Sequence, residues 1–222
     1  MLNWSDIHTV LLDMDGTLLD LHFDNHFWLE HTPKAYAQKH RIPLSQAKQT
    51  LKDQNDAVHG QLEWYCLDYW QQELDLPIVA LKREIDHLIQ LRDDTLPFLE
   101  ALKSAGKRVV LVTNAHPDSL SLKVEKTQLD KHINELVSCH QFGVSKESQS
   151  LWQQLEQALA FDPKHTLFVD DSVRILQAAR DYGIQYLLGV RNPDSKRPEQ
   201  EIKNFDSTSD FRTLLSAIQE GQ

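Results

Sequence analysis

The chain has 222 residues, of which 41% are hydrophobic and 25% charged, enough apolar material for one large domain or a domain with a sizeable insertion, and too much for wholesale disorder. Its net charge of −10 argues against broad binding of nucleic acid or anionic membrane, but leaves room for an anionic small substrate, since a bound divalent cation reverses the local potential. No apolar stretch approaches the roughly 20 residues of a membrane span, and "MLNWSDIHTV" at the start has no basic region ahead of an apolar run, so a cytoplasmic protein is expected.

"TVLLDM" (9–14) is the first strand-like run, continuous rather than alternating, as expected for a parallel strand covered on both faces. From 21 to 90 no convincing strand follows. Instead "SQAKQTLKDQNDAVHG", "EWYCLDYWQQEL" and "IVALKREIDHLIQL" predict helices punctuated by Pro43, Gly60 and Pro77. Strand and helix then alternate: helix "TLPFLEALKSAG", strand "RVVLVTN" (108–114), helix "DSLSLKVEKTQL", and a weaker strand "NELVSCH" (134–140). Helix "ESQSLWQQLEQALA", strand "HTLFVDD" (165–171), helix "SVRILQAARDYG" and strand "QYLLGV" (185–190) continue the rhythm. The polar stretch after 190 predicts a loop before a short terminal helix. The expected fold is α/β, a doubly wound, Rossmann-like parallel sheet formed by residues 1–20 and 91–222, with a helical subdomain of residues 21–90 inserted after the first strand.

Cys66 and Cys139 are the only cysteines and lack CxxC spacing, so neither a disulfide framework nor a zinc site is signalled. Most of the histidines are scattered in surface-like positions; His116 lies close enough to the second strand end to touch a substrate.

In open α/β sheets, ligands bind at the carboxyl ends of the strands. There the first strand offers Asp13, Asp15, Gly16 and Thr17, the 108–114 strand Thr113 and Asn114, and the 165–171 strand Asp170, Asp171 and Ser172. Lys146, in "FGVSKES", approaches on a loop. So many carboxylates need positive charge, and an oxygen-only donor set suits Mg2+ with a phosphate ligand. Asp13 reads as a metal ligand or a nucleophile. Asp15 is spaced to protonate a departing oxygen and then take a proton from water. Gly16 permits a sharp turn; Thr17, Thr113 and Asn114 offer donors to phosphate oxygens, and Lys146 adds charge. Asp24 and Asn25, just past the turn, are placed to reach a ribose or base edge. Rings at Trp28, Trp64, Tyr65 or Tyr69 offer stacking surfaces, although Trp64, Leu67 and Trp70 also fit a packing stripe at i, i+3 and i+6.

"DMDGT" after an apolar strand, "VTN" on a second, a loop lysine and "FVDDS" on a later strand resemble the four motifs of the haloacid dehalogenase superfamily. The resemblance implies that Asp13 accepts the phosphoryl group, Asp15 is the general acid/base, and Thr113 and Lys146 hold the phosphate. It implies Mg2+ held by Asp13, the Asp15 main-chain carbonyl and Asp171, with Asp170 a direct or water-mediated ligand. The insertion resembles that superfamily's helical cap, and the second aspartate marks its phosphatases rather than its dehalogenases. "TVLLDMDGTLLDLHFDNHFW", "WYCLDYW", "FLEALKSAGKRVVLVTNAHP" and "LGVRNPDS" further resemble bacterial purine nucleotidases. That implies hydrolysis of purine nucleoside 5′-monophosphates such as GMP and IMP to nucleoside and phosphate. The expected partner is therefore a small-molecule phosphate ester, not nucleic acid or membrane, with the chain a monomer or weak homodimer.

Two rivals use similar residues. A phospho-accepting receiver module carries its acid pair on the first strand and its acceptor on a later one, the reverse of the order here. A sugar-phosphate phosphatase or mutase shares the scaffold. A mutase cap would need cations for a bisphosphate, and residues 21–75 hold few, none of them next to the aromatic segments.

Overall fold

Six strands, β1 (Thr9–Leu12), β2 (Arg108–Thr113), β3 (Glu135–Ser138), β4 (Thr166–Asp170), β5 (Tyr186–Val190) and β6 (Asp206–Thr208), form one parallel sheet in the order β3-β2-β1-β4-β5-β6. The computed structural model describes residues 2–221. Consecutive strand residues face opposite sides, and both sides are covered. Val10, Leu12, Val109, Leu111, Leu167 and Val169 pack toward α6 (Thr95–Ser104), α7 (Pro117–Thr127) and α10 (Leu215–Glu220). Leu11, Val110, Val112 and Phe168 pack toward α8 (Gln149–Leu159) and α9 (Val173–Tyr182). Burial on both faces is the physical reason the strand runs are continuously apolar, each buried aliphatic side chain contributing about 1.5–3 kcal/mol.

The chain runs from β1 to β2 to β3 in one direction, then returns to lay β4 on the other side of β1. β1 is thus flanked by β2 and β4, with Leu12 level with Leu111 and with Val169. The three strands whose ends carry the acids and Thr113 are adjacent, and the crevice forms where the winding reverses.

Residues between β1 and α6 form the helical insertion. A rod runs through α1 (His22–His26), a wide π turn (Phe27–His31) and α2 (Thr32–His40). The wide turn ends two residues before Pro33, whose missing N–H and bulky ring disturb regular helical bonding. α3 (Leu44–Val58) buries Ala47 and Leu51, α4 (Leu67–Leu74) buries Leu67, Trp70 and Leu74, and α5 (Ile78–Glu84) buries Ile78, Leu81 and Lys82. Phe23, Phe27, Trp70 and Ile78 belong to the same apolar cluster as β1 and α6, so the insertion shares a core with one face of the sheet.

Several local expectations change. The rod at 22–40 has no counterpart among the helices read from the sequence, because its apolar stripe is short and its mean hydropathy low. The "EWYCLDYWQQEL" helix is broken at Cys66, which is extended (φ −84°, ψ 114°) between a 3₁₀ turn (Leu62–Tyr65) and α4. Trp64 therefore does not share a helix stripe with Leu67 and Trp70. The stretch after 190 contains β6, a three-residue edge strand that pairs through its backbone and carries no apolar signal.

Candidate active site

β1 stops at Leu12, and the next residue keeps contact with β4 through the Asp13 N–H donating to the Val169 carbonyl at 3.0 Å. This sets Asp13, which is buried, beside Asp170 at the end of β4. Lys146, 1% exposed, reaches between them: its Nζ donates to Asp13 Oδ1 at 2.5 Å and to Asp170 Oδ2 at 2.7 Å. The loop carrying Lys146 is pinned by Trp152, whose indole N–H donates to the Lys146 carbonyl at 3.0 Å. Asn114 pins it from the other side. Its Oδ1 accepts from the Lys146 N–H at 2.9 Å and its Nδ2 donates to Glu147 Oε2 at 3.1 Å, so the amide positions the lysine loop. Thr113 Oγ1 accepts from the Ala115 N–H at 3.0 Å, which leaves the hydroxyl proton to donate into the crevice.

Above these groups opens a cavity of about 980 Å³. Asp13, Asp15, Thr113, Asn114 and Lys146 line its floor with Asp170 and Asp171, and Asp24, Asn25 and His116 line its wall. Trp28, Trp64 and Tyr65 line the insertion side, whereas Tyr69 does not. Asn25 is committed to Asp194, to which its Nδ2 donates at 2.7 Å. Thr17 is fully buried beneath the wall, its Oγ1 without a partner.

Gly16 has φ +88°, and a Cβ there would sit 2.8 Å from Asp171 Oδ2 and 2.9 Å from Pro193 Cβ. The turn therefore needs glycine both for its backbone angle and for the close approach of Asp171. Gly16→Ala is expected to cost about 1–3 kcal/mol in stability and to displace Asp171. A thermal melt checks the first, and a divalent-cation titration, whose half-saturation should move to higher Mg2+ concentration, checks the second; an unchanged titration would contradict the displacement.

Two lysines that spacing does not single out complete the site. Lys123 Nζ on α7 bridges Asp15 Oδ1 and Asp24 Oδ2, both at 2.6 Å, and Lys82 Nζ on α5 reaches Asp24 Oδ1 at 2.8 Å. Both are buried, 1% and 2% exposed, and Lys82 also lies 4.7 Å and 4.6 Å from the ring centroids of Phe23 and Phe27. Each lies on an amphipathic helix where a lysine reads as a surface residue, so no local pattern marks it. Asp24 is thus first a counter-ion. Burial alone would raise its carboxyl, but Lys123 and Lys82 outweigh burial and hold it well below the usual carboxylate range.

Asp13 and Asp15 are perturbed the other way. Burial pushes the Asp13 carboxyl up to about 6 despite Lys146 beside it, and Asp170 adds to the push. Burial likewise pushes Asp15 up to about 6 against the pull of Lys123, with Asp24 and Asp13 adding to it. Asp171 is raised well above its ordinary value by burial and by repulsion from Asp170 and Asp13.

Asp13, Asp15, Asp24, Asp170 and Asp171 face Lys82, Lys123 and Lys146, five acids against three cations, so with all five ionised two negative charges go uncompensated. Asp13, Asp170 and Asp171 each offer a carboxylate oxygen within 4.8 Å of the others, and Asp13 Oδ2 is buried without a partner. The charge deficit, the orphaned oxygen and the all-oxygen donor set fit a hard divalent cation.

The profile described as "haloacid dehalogenase-like hydrolase" matches residues 7–183. The GMP/IMP nucleotidase YrfG of Escherichia coli (strain K12) is 46% identical over 215 residues, 97% of this chain and 97% of that protein. Among solved structures, a HAD phosphatase from Thermococcus onnurineus superposes with a TM-score of 0.81 at 20% identity, over 97% of this chain and 99% of its own. An L-2-haloacid dehalogenase from Xanthobacter autotrophicus superposes with a TM-score of 0.65 at 17% identity, over 96% and 98%. One fold thus carries different chemistries, and the side chains in the crevice decide between them.

Proposed function

The chain belongs to the haloacid dehalogenase-like hydrolase family, and from that premise we propose that it is a Mg2+-dependent phosphomonoesterase, a 5′-nucleotidase that hydrolyses purine nucleoside 5′-monophosphates. The substrate assignment is carried by the 46% identity to a GMP/IMP nucleotidase across 97% of both chains. The reaction class is supported by two acids two residues apart on the floor of a cavity of nucleotide-accommodating size.

In this reading the Asp13 carboxylate attacks phosphorus as the ester P–O bond breaks, giving an aspartyl-phosphate. Asp15 gives its proton to the departing ribose 5′-oxygen. As a carboxylate it then takes a proton from a water whose oxygen attacks the same phosphorus, freeing Asp13 and inorganic phosphate. Lys146 and the Thr113 hydroxyl hold phosphate oxygens. Asp13, the Asp15 carbonyl and Asp171 would hold the cation, which would neutralise phosphate charge when bound. Asp170 would support the same cation, directly or through water, while its oxygens accept from Lys146 and from the Ser172 N–H at 2.8 Å. The helical insertion serves as the cap that excludes water, and Trp28 and Trp64 offer stacking faces worth about 1–3 kcal/mol per base.

Lys123 is a positioning residue for Asp15. Lys123→Met removes the cation that lowers the Asp15 carboxyl, so the titration of Asp15 moves upward from about 6. We expect turnover to fall by about 10²-fold and the acid limb of its pH profile to shift to higher pH. A loss of rate with an unshifted profile would assign Lys123 to packing alone.

The cations around the cavity give no support to a bisphosphate-holding mutase. Lys48 is paired with Glu30 at 2.8 Å, Lys52 with Asp56 at 2.5 Å and Arg174 with Glu147 at 2.7 Å, while Lys82 and Lys123 serve Asp24 and Asp15. A panel of GMP, IMP, AMP, UMP, phosphoglycolate and glucose 6-phosphate tests the function. The purine 5′-monophosphates should give the highest kcat/KM; parity with glucose 6-phosphate would overturn the nucleotidase reading.

A further inference from the structure

A second cluster of metal-ligating side chains lies at the seam between insertion and sheet. Cys66, His116 and His140 each offer a ligand atom, and these lie within 4.8 Å of one another. Cys66 comes from the break before α4, His116 from the turn after β2 and His140 from the 3₁₀ turn (Cys139–Phe142) after β3. The two imidazole rings meet edge to face with centroids 5.1 Å apart.

His140 is already prepared as a ligand. Its Nε2 is buried with no hydrogen-bond partner. Its ring is hydrogen-bonded by the Asn114 backbone, and burial lowers its pKa, favouring the neutral ring. A histidine whose second nitrogen is held by a backbone carbonyl, leaving the first as an inward lone pair, is the arrangement that outer contacts impose on metal ligands. At His116, Nε2 lies 3.5 Å from Asp68 Oδ2, and Nδ1 lies 3.8 Å from the Asp118 carboxylate. Asp118 is therefore an outer acceptor for Nδ1–H when Nε2 takes an ion, in exchange for the 3.3 Å bond that Nδ1 now accepts from the Asp118 N–H.

One thiolate and two imidazoles, with a fourth position open to water, suit a four-coordinate borderline metal, unlike the all-oxygen set of Asp13, Asp170 and Asp171. We propose that Cys66, His116 and His140 form a zinc-class site that staples the helical insertion to the sheet and so inhibits turnover. Cys66 belongs to the insertion, and both histidines to the sheet side. The site is complete only with the insertion seated as here, where Ser145 Oγ also donates to the Gly60 carbonyl at 3.1 Å and Tyr65 OH to Glu147 Oε1 at 2.9 Å. Binding releases the Cys66 thiol proton to solvent. His116 lines the catalytic cavity, so an ion held there locks its rim.

Cobalt(II) titrated into the full chain in excess Mg2+ is the probe, because a thiolate-to-cobalt charge-transfer band reports sulfur ligation and does not depend on which ester is hydrolysed. We expect one such ion per chain, with four-coordinate visible bands. Cys66→Ser and Cys66→Ala should abolish the charge-transfer band, His140→Gln should weaken binding by about 10-fold or more, and Asp171→Asn should leave the band intact. No band at saturating cobalt, or a band unchanged in His140→Gln, would overturn the site. Zinc should inhibit the wild-type chain at concentrations about 10-fold below those that inhibit Cys66→Ser, whose turnover without zinc should be unchanged. Equal zinc sensitivity would overturn the staple.

Discussion

Asp13→Asn is expected to lower phosphate release from p-nitrophenyl phosphate in Mg2+ by about 10⁴-fold or more, the scale on which removal of a covalent nucleophile acts. The amide is nearly isosteric but cannot form the acyl phosphate. The same change removes one of five acids from a buried group with three lysines, so stability should not fall with activity. The sign follows from the raised Asp13 pKa. Between about pH 4 and 6 the folded chain holds a proton there that the unfolded chain has released, so this group's contribution declines as pH rises through that window. In metal-free buffer at pH 7 the variant is expected to melt at or above the wild-type temperature. Retained turnover would remove Asp13 from the role of nucleophile; lost turnover with a collapsed melting temperature would leave the role unsupported.

Lys146→Met carries the second large effect, on stability as well as rate. Lys146 is the direct partner of both Asp13 and Asp170, and burial, which alone would lower its pKa, is outweighed by these two acids, so it stays charged. Removing one partner from a buried ion pair costs about 3–5 kcal/mol. For a chain of 222 residues, that corresponds to a fall of roughly 6–20 °C in Tm. With the lysine gone, the Asp13 and Asp170 carboxyls rise further and take up protons on folding. The Tm deficit should therefore be largest above pH 7 in metal-free buffer and shrink toward pH 5. Added Mg2+ should restore part of it, because the cation replaces some of the missing charge. A deficit independent of pH would mean that Lys146 supports the fold by packing rather than by charge.

The two variants separate two demands on one cluster. The floor of the crevice carries more acids than its lysines balance, which favours binding of a cation and costs stability in its absence. Stability is supplied elsewhere, by the doubly covered sheet and by the insertion's share of its core.

Much of this was legible in the chain itself. Continuous apolar strands require cover on both faces, so "TVLLDM", "RVVLVTN" and "HTLFVDD" led to a doubly wound sheet, and the acids, Thr113 and Asn114 at their ends led to one crevice. Even the weak "NELVSCH" run forms β3. β6 was not legible, because an edge strand of three polar residues is held by backbone pairing alone. Lys123 and Lys82 were not legible either. A helix pattern records which face is apolar, but it does not record which acid waits 99 or 58 residues away in sequence to draw a lysine under the surface. Asp24 and Asn114 show the same limit: Asp24 was expected at a ribose or base edge and Asn114 at a phosphate oxygen, but their contacts show a counter-ion to two lysines and an anchor for the Lys146 loop. Cys66, His116 and His140 have no zinc spacing and come together only because the chain folds the insertion onto the sheet. Sequence determined the fold class and which polar residues gather at one crevice, because both follow from short-range pattern at strand ends. Tertiary structure alone decided which charges meet, because electrostatic partners are chosen by distance in space and by shared burial, and neither is written in local order.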